Sequence, residues 1–166
     1  MPSSRLLRRS VATAALIAGL TLSGCGFDAQ TLRPYNQSQG VNVDGPQVKV
    51  RNLLIVADDS GKGVVSGTLV SSADDALAGV AGGAHQANGS DAGTLTVTAT
   101  ALPLTLPAAN AVVLTNPLPV VKVSSPGLKP GLTATLVLTL RSGARVSADV
   151  PVMSSADPVY AGIPLG

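Results

Sequence analysis

The chain has 166 residues, with one cysteine, no tryptophan, one phenylalanine and two tyrosines, so an internal disulfide framework is excluded and any core must be assembled from Val, Leu, Ala and Ile. The formal net charge of +2 belongs mostly to the N-terminus: three of the eleven Lys and Arg are Arg5, Arg8 and Arg9, and the eight others stand against nine Asp and no Glu. Those eight are scattered without aromatic interleaving, so nucleic acid is not an expected partner.

In chain order, the first element is a leader. Arg5, Arg8 and Arg9 precede an apolar run from Val11 to Leu22, and Ser23 and Gly24 are small, the composition of an export signal over residues 1–24. A membrane-spanning helix needs about 20 consecutive apolar residues, and this run is shorter and interrupted by Thr and Gly. Cys25 follows at once. Leu22-Ser23-Gly24-Cys25 resembles the lipobox of bacterial lipoproteins, which implies a diacylglyceryl thioether on Cys25 and cleavage before it. The alternatives for a lone exported thiol are an intermolecular bridge or a buried thiol in a retained anchor. Each buried methylene contributes about 0.8 kcal/mol and two acyl chains anchor durably. The expected location is therefore the outer face of the cell membrane, with the membrane as a partner through acyl chains on Cys25 and an envelope protein as a possible second partner.

Residues 25–46 mix Gly, Pro, Asn, Gln and Asp without a sustained period and read as a tether. A domain over 47–153 follows. Val48 to Arg51 alternates apolar and charged residues, Leu53 to Val56 is a continuous apolar run, and Asp58 to Gly63 supplies a turn before Val64 to Ser71, the pattern of a hairpin. Further strands are expected at Ala76 to Val80, Leu95 to Thr100, Leu102 to Leu106, Ala111 to Leu114, Val120 to Val123, Leu132 to Leu140 and Val146 to Val152. In Thr94 to Thr100 and Thr133 to Leu140, Thr alternates with apolar residues, a period of two that suits a half-buried strand and not a helix. No stretch forms an amphipathic helix, so the expected fold is all-β, an antiparallel sandwich or barrel. The tail at 154–166 either stays free or docks through Val159, Tyr160 and Ile163.

"LPLTLPAANAVVLTNPLPVVKVSSPGLKPGLTATLVLTLRSGARVSADVPV", residues 102–152, resembles the C-terminal half of the PCuAC-type copper chaperones in its order of turn, Leu-x-x-Gly turn, Thr/Leu-rich strand and final Pro-Val hairpin. "VKVRNLLIVADDSGKGVVSGTLVSSADDALAGV", residues 48–80, is similar to actinobacterial lipoproteins related to that family. The resemblance implies an exported Ig-like or cupredoxin-like β-sandwich. That family holds Cu(I) with two His and two Met, soft donors suited to the ion. Here the only histidine is His85, the methionines are Met1 and Met153, and Pro117 to Lys122 reads "PLPVVK" where the His-x-Met pair would fall. No metal site or other cofactor is therefore expected.

His85 lies in "GVAGGAHQANGSDAG". As a functional group it would be a metal ligand or proton carrier; the reading adopted is a solvated loop histidine. Asp58-Asp59 and Asp74-Asp75 invite a calcium reading, yet "DDSGKG" lacks alternating Asp, and paired Asp beside Gly and Ser is turn chemistry. No Gly-x-Ser-x-Gly elbow, carboxylate pair with Glu, or Gly-rich phosphate loop is present, so no catalytic residue is assigned. The expected function is a non-catalytic binding or assembly-accessory module. The alternatives are a divergent copper metallochaperone using His85, and a small hydrolase.

Overall fold

In the computed structural model, residues 39–165 are described. Cys25, the leader and most of the tether lie outside them. The described residues form eleven strands: β1 (Val41–Asp44), β2 (Val48–Ala57), β3 (Lys62–Ser71), β4 (Asp75–His85), β5 (Asp91–Thr94), β6 (Thr96–Ala99), β7 (Leu104–Leu106), β8 (Ala111–Val113), β9 (Val121–Ser124), β10 (Thr133–Leu140) and β11 (Arg145–Ser154). The expected all-β sandwich is observed, with no helix among the described residues.

The hydrogen-bonded path runs β5-β4-β10-β11-β2-β3-β9-β6. It folds into two facing layers because two segments change sheets. The β11 strand is antiparallel to β10 from Arg145 to Pro151, and its last residues, Val152 to Ser154, run parallel to Ile55 to Ala57 of β2. That parallel pair is the one departure from an otherwise antiparallel set of ladders. At the other side, β5 and β6 are separated only by Leu95, whose amide bonds the Gly82 carbonyl at 2.9 Å. The two ends of the path are thus consecutive in the chain, and the sandwich is nearly a closed barrel.

Alternation builds the core. In β10, Ala134, Leu136, Leu138 and Leu140 point inward while the Thr residues point out. In β2 the alternation inverts. Val48 and Val50 face the main core, then the register shifts between Arg51 and Leu54, and Leu53, Ile55 and Ala57 take over the inward positions. The shift is a bulge centred on Asn52, which has φ 53°, a left-handed conformation that Asn tolerates better than most residues. Its side-chain oxygen accepts from the Gly40 amide at 2.7 Å, and its own amide donates to the Asn42 carboxamide at 2.8 Å.

The continuous apolar run is explained by what lies behind it. Leu54 and Val56 point away from the main core and, with Val64, form a second cluster under Tyr160, against which Met153, Ile163 and Leu165 also pack. The tail therefore docks, through Tyr160, Ile163 and Leu165; Val159 is 69% exposed. Such burial contributes about 1.5–3 kcal/mol per large side chain. The Tyr160 hydroxyl also donates to the Gln39 carboxamide, fastening the tail to the start of the described chain.

Three local expectations are corrected. Val41 to Asp44, read as tether, is β1, antiparallel to β2, with Arg51 pairing Asp44 at 2.5 Å. The Gly-rich stretch before His85 is no loop: β4 extends to residue 85 and pairs with β10 from Ala84↔Ala134 to Leu77↔Leu140. Its glycines permit close approach, since a Cβ on Gly82 would lie 2.2 Å from the Thr135 carbonyl oxygen. Finally, Asp91 to Thr94, left between elements, is β5 against the end of β4.

Candidate functional site

The end of β4 delivers His85 beside β10 and β11. Its ring is largely covered, with a side-chain exposure of 24%, which corrects the expectation of a solvated loop histidine. The Nε2 atom lies 2.7 Å from the Thr135 hydroxyl, that hydroxyl donates to the Asp149 carboxylate at 2.5 Å, and Nε2 is 3.8 Å from the same carboxylate oxygen. Because Thr135 spends its hydrogen on Asp149, its oxygen accepts from His85, and the network assigns the ring proton to Nε2. Nδ1 is buried and has no hydrogen-bond partner.

The register makes this juxtaposition unavoidable. Thr135 is paired with Asp149 across the β10–β11 ladder, and Ala134 with Ala84 across the β10–β4 ladder, so three neighbouring strands each contribute one polar side chain to one outer face. Sequence reasoning picked out His85 and missed both partners. Thr135 carried only the signal of an outward position in an alternating strand, and Asp149 sits 64 positions from the histidine with nothing local to connect them.

Chemically the trio is a chain of hydrogen bonds running carboxylate, hydroxyl, imidazole. In a nucleophilic triad the imidazole stands between acid and hydroxyl; here the hydroxyl stands in the middle and its proton points at the acid. The arrangement clamps three strands and leaves only Nδ1 of the ring uncommitted. As a Cu(I) site the donor set does not fit. Met153 lies four residues beyond Asp149 on β11, about 13 Å along the strand, and packs over Leu54, Val56 and Val64. It and His85 are too far apart to share one ion, and among the described residues no three His, Cys, Asp or Glu side chains converge.

The paired aspartates serve as turn and loop ties. Asp58 accepts from the Ser60 amide and hydroxyl at 2.8 and 2.7 Å and from the Lys62 amide at 3.0 Å. The Ser60 hydroxyl first, then the Lys62 amide, hold its carboxyl below the usual carboxylate range. Asp74 accepts from the Ala108 amide at 2.8 Å, fixing the connection between β7 and β8. Asp75 accepts from the Ala76 and Ser142 amides, and its carboxyl is likewise lowered, with the Ser142 side chain the largest cause and the Ala76 amide next. On the tail, burial pushes the Tyr160 hydroxyl above its ordinary value, and Asp157 adds to the shift.

The segment 115–120, where the copper-binding pair of the resembled family would fall, presents Leu118 at 66% exposure between Pro117 and Pro119. Lys62 and Lys122, 60 positions apart in the sequence, are brought to one side of the β3–β9 ladder.

Neither sequence families nor curated proteins give a match to the chain. Solved structures do. The copper-bound PCuAC domain from PmoF2 superposes with a TM-score of 0.52 at 15% identity, over 69% of this chain and 98% of that domain. The apo PCuAC domain from PmoF1 gives 0.51 at 16% identity, over 69% of this chain and 99% of that domain. At such identities the likeness is one of fold, and the cupredoxin-like β-sandwich expected from residues 102–152 and 48–80 is the fold of this chain.

Proposed function

We propose that the protein is a lipid-anchored, extracytoplasmic binding or assembly-accessory module that uses a PCuAC-type sandwich without catalysis and without its own copper site. The observation that carries this reading is the commitment of His85. Its Nε2 is spent on Thr135 and Asp149, which turns the only histidine of the chain into a strand clamp, and the only thioether in the domain packs on the tail cluster. What supports anchoring is the likeness of residues 22–25 to a lipobox after an apolar leader. Two acyl chains on Cys25 would hold the domain at the membrane through burial of methylenes alone.

The unpartnered Nδ1 of His85 favours a second reading, a divergent metallochaperone in which one imidazole nitrogen meets donors supplied by a partner. Competition between the purified protein and a chromogenic Cu(I) chelator separates the two. The accessory-module reading expects no stoichiometric Cu(I) uptake and no difference between the wild-type chain and His85→Ala. Uptake of one equivalent that disappears in His85→Ala would replace the first reading by the second. Mass spectrometry of the native N-terminal peptide tests the anchor: an unmodified Cys25 thiol would remove the membrane from the proposal.

A further inference from the structure

We propose that the outer face of β3, β9 and β6 is a binding site for a phosphoryl group. The ladders place Lys62 opposite Ser124 and Ser124 opposite Thr96, then Val64 opposite Lys122 and Lys122 opposite Thr98. The alternate residues of β9, Val121 and Val123, belong to the core, so Lys122 and Ser124 point outward. Two short rows result, each with one lysine and one or two hydroxyls. They border a single cavity of about 250 Å³ whose remaining wall includes Leu165 of the docked tail.

Nothing in the fold explains this placement. Lys62 and Lys122 are diagonal neighbours on adjacent strands, a separation of about 7–8 Å between such positions, and two like charges so placed repel. Neither ammonium has an ion-pair partner within the described residues, and the hydroxyls of Thr96, Thr98 and Ser124 make no hydrogen bond there. Asp58 feels the charge of Lys62 only as the smallest of the influences on its carboxyl. Five donor side chains are left lining one depression with no carboxylate among its lining residues.

The donor set selects the ligand class. A phosphate monoester carries a charge of about −1.5 to −2 at neutral pH and three strong acceptor oxygens, enough to engage two ammoniums and share three hydroxyls; a carboxylate brings one charge and two oxygens. Lysine serves phosphate as a point charge that does not demand bidentate geometry. The lining contains no aromatic side chain, so it offers no stacking platform for a base and recognises the phosphoryl group itself, whether on a lipid headgroup or free in solution.

The test uses the full chain in a maltoside detergent, which carries no phosphate, followed by amide NMR during addition of inorganic phosphate at constant ionic strength. Saturable shifts centred on Lys62, Thr96, Thr98, Lys122 and Ser124, weakened at least about tenfold in Lys62→Gln/Lys122→Gln and unchanged in Lys129→Gln, support the site. Shifts spread equally over Lys49, Lys129 and Arg145, or identical in the double variant, overturn it. The same titration with short-chain phosphatidic acid, a soluble lipid that carries a phosphate monoester, then assigns the source. Binding of this lipid that is tighter than that of inorganic phosphate and is weakened in the double variant identifies a headgroup, and equal or weaker binding alongside the phosphate-dependent shifts identifies a free phosphoryl compound. Both lysines point outward from the sheet, and retention of the wild-type amide spectrum elsewhere shows that the double variant is folded.

Discussion

The two sheets of the sandwich treat their outer faces differently. Behind β2 and β3 the outward residues include Leu54, Val56 and Val64, covered by a tail that carries Tyr160, Ile163 and Leu165. Behind β4, β10 and β11 the outward residues include His85, Thr135 and Asp149, which are joined by hydrogen bonds, with Asp149 open to solvent. One face is stabilised by apolar burial and the other by a polar chain. The lesson is that strand alternation alone does not set the polarity of an outer face; a later segment of the chain decides whether that face is a second core or a solvated surface.

The comparison can be broken most severely at the covered face. Tyr160→Ala removes the aromatic lid of Leu54, Val56 and Val64 and is expected to cost about 3 kcal/mol in chemical denaturation, with increased binding of an apolar dye. A loss below about 0.5 kcal/mol, the range of ordinary surface changes, would mean that the tail does not cover the face. On the uncovered face, Thr135→Val keeps the strand shape and strips the link between His85 and Asp149, at an expected cost of about 1–2 kcal/mol. The diagnostic is the histidine ring: its Nε2 NMR resonance should move as the hydrogen bond to Thr135 is lost.

Finer contrasts sharpen it. Tyr160→Phe retains the lid but deletes the hydroxyl bonded to Gln39, an expected loss of about 1 kcal/mol, smaller than that of the alanine variant. The pH dependence has opposite signs on different groups. The folded Tyr160 hydroxyl titrates above its ordinary value, so its contribution is fully present below the unfolded pKa and is lost as pH rises through the folded one; tyrosinate absorbance and tail release should move together at alkaline pH. Asp58 and Asp75 are lowered, so their contributions are present above the unfolded value and fade as pH falls through the folded one. Asp75→Asn should flatten the acid limb of the stability profile, the smallest of these effects because Asp75 ties an exposed turn.

How much of this was legible in the sequence depends on side-chain pattern. Thr133 to Leu140 declared itself because every second residue is apolar, and the hairpin of β2 and β3 because Asp58 to Gly63 is rich in turn formers. The end of β4 was hidden because Gly79, Gly82 and Gly83 carry no side chain that alternates. What makes them strand residues is the backbone of β10 pressing against Gly82, a contact with a segment some fifty positions away. The β1 strand was hidden because Asn42 and Asp44 look like tether residues until Asn52 and Arg51 reach them. His85 was visible as a lone histidine, but its role depended on Thr135 and Asp149, which only the register of three strands brings together.

The parallel pairing of Val152 to Ser154 with Ile55 to Ala57 has a temporal consequence. A growing polypeptide presents β2 long before β11, and β4 long before its partner β10, so the layers cannot close until the final quarter of the chain has been delivered. Contacts of such large sequence separation form slowly, after the entropy of closing long loops has been overcome. Until then the apolar sides of β2, β3 and β4 stand open to chaperones and to proteolysis, and a ribosome-released fragment ending before Thr133 would remain in that unsealed state.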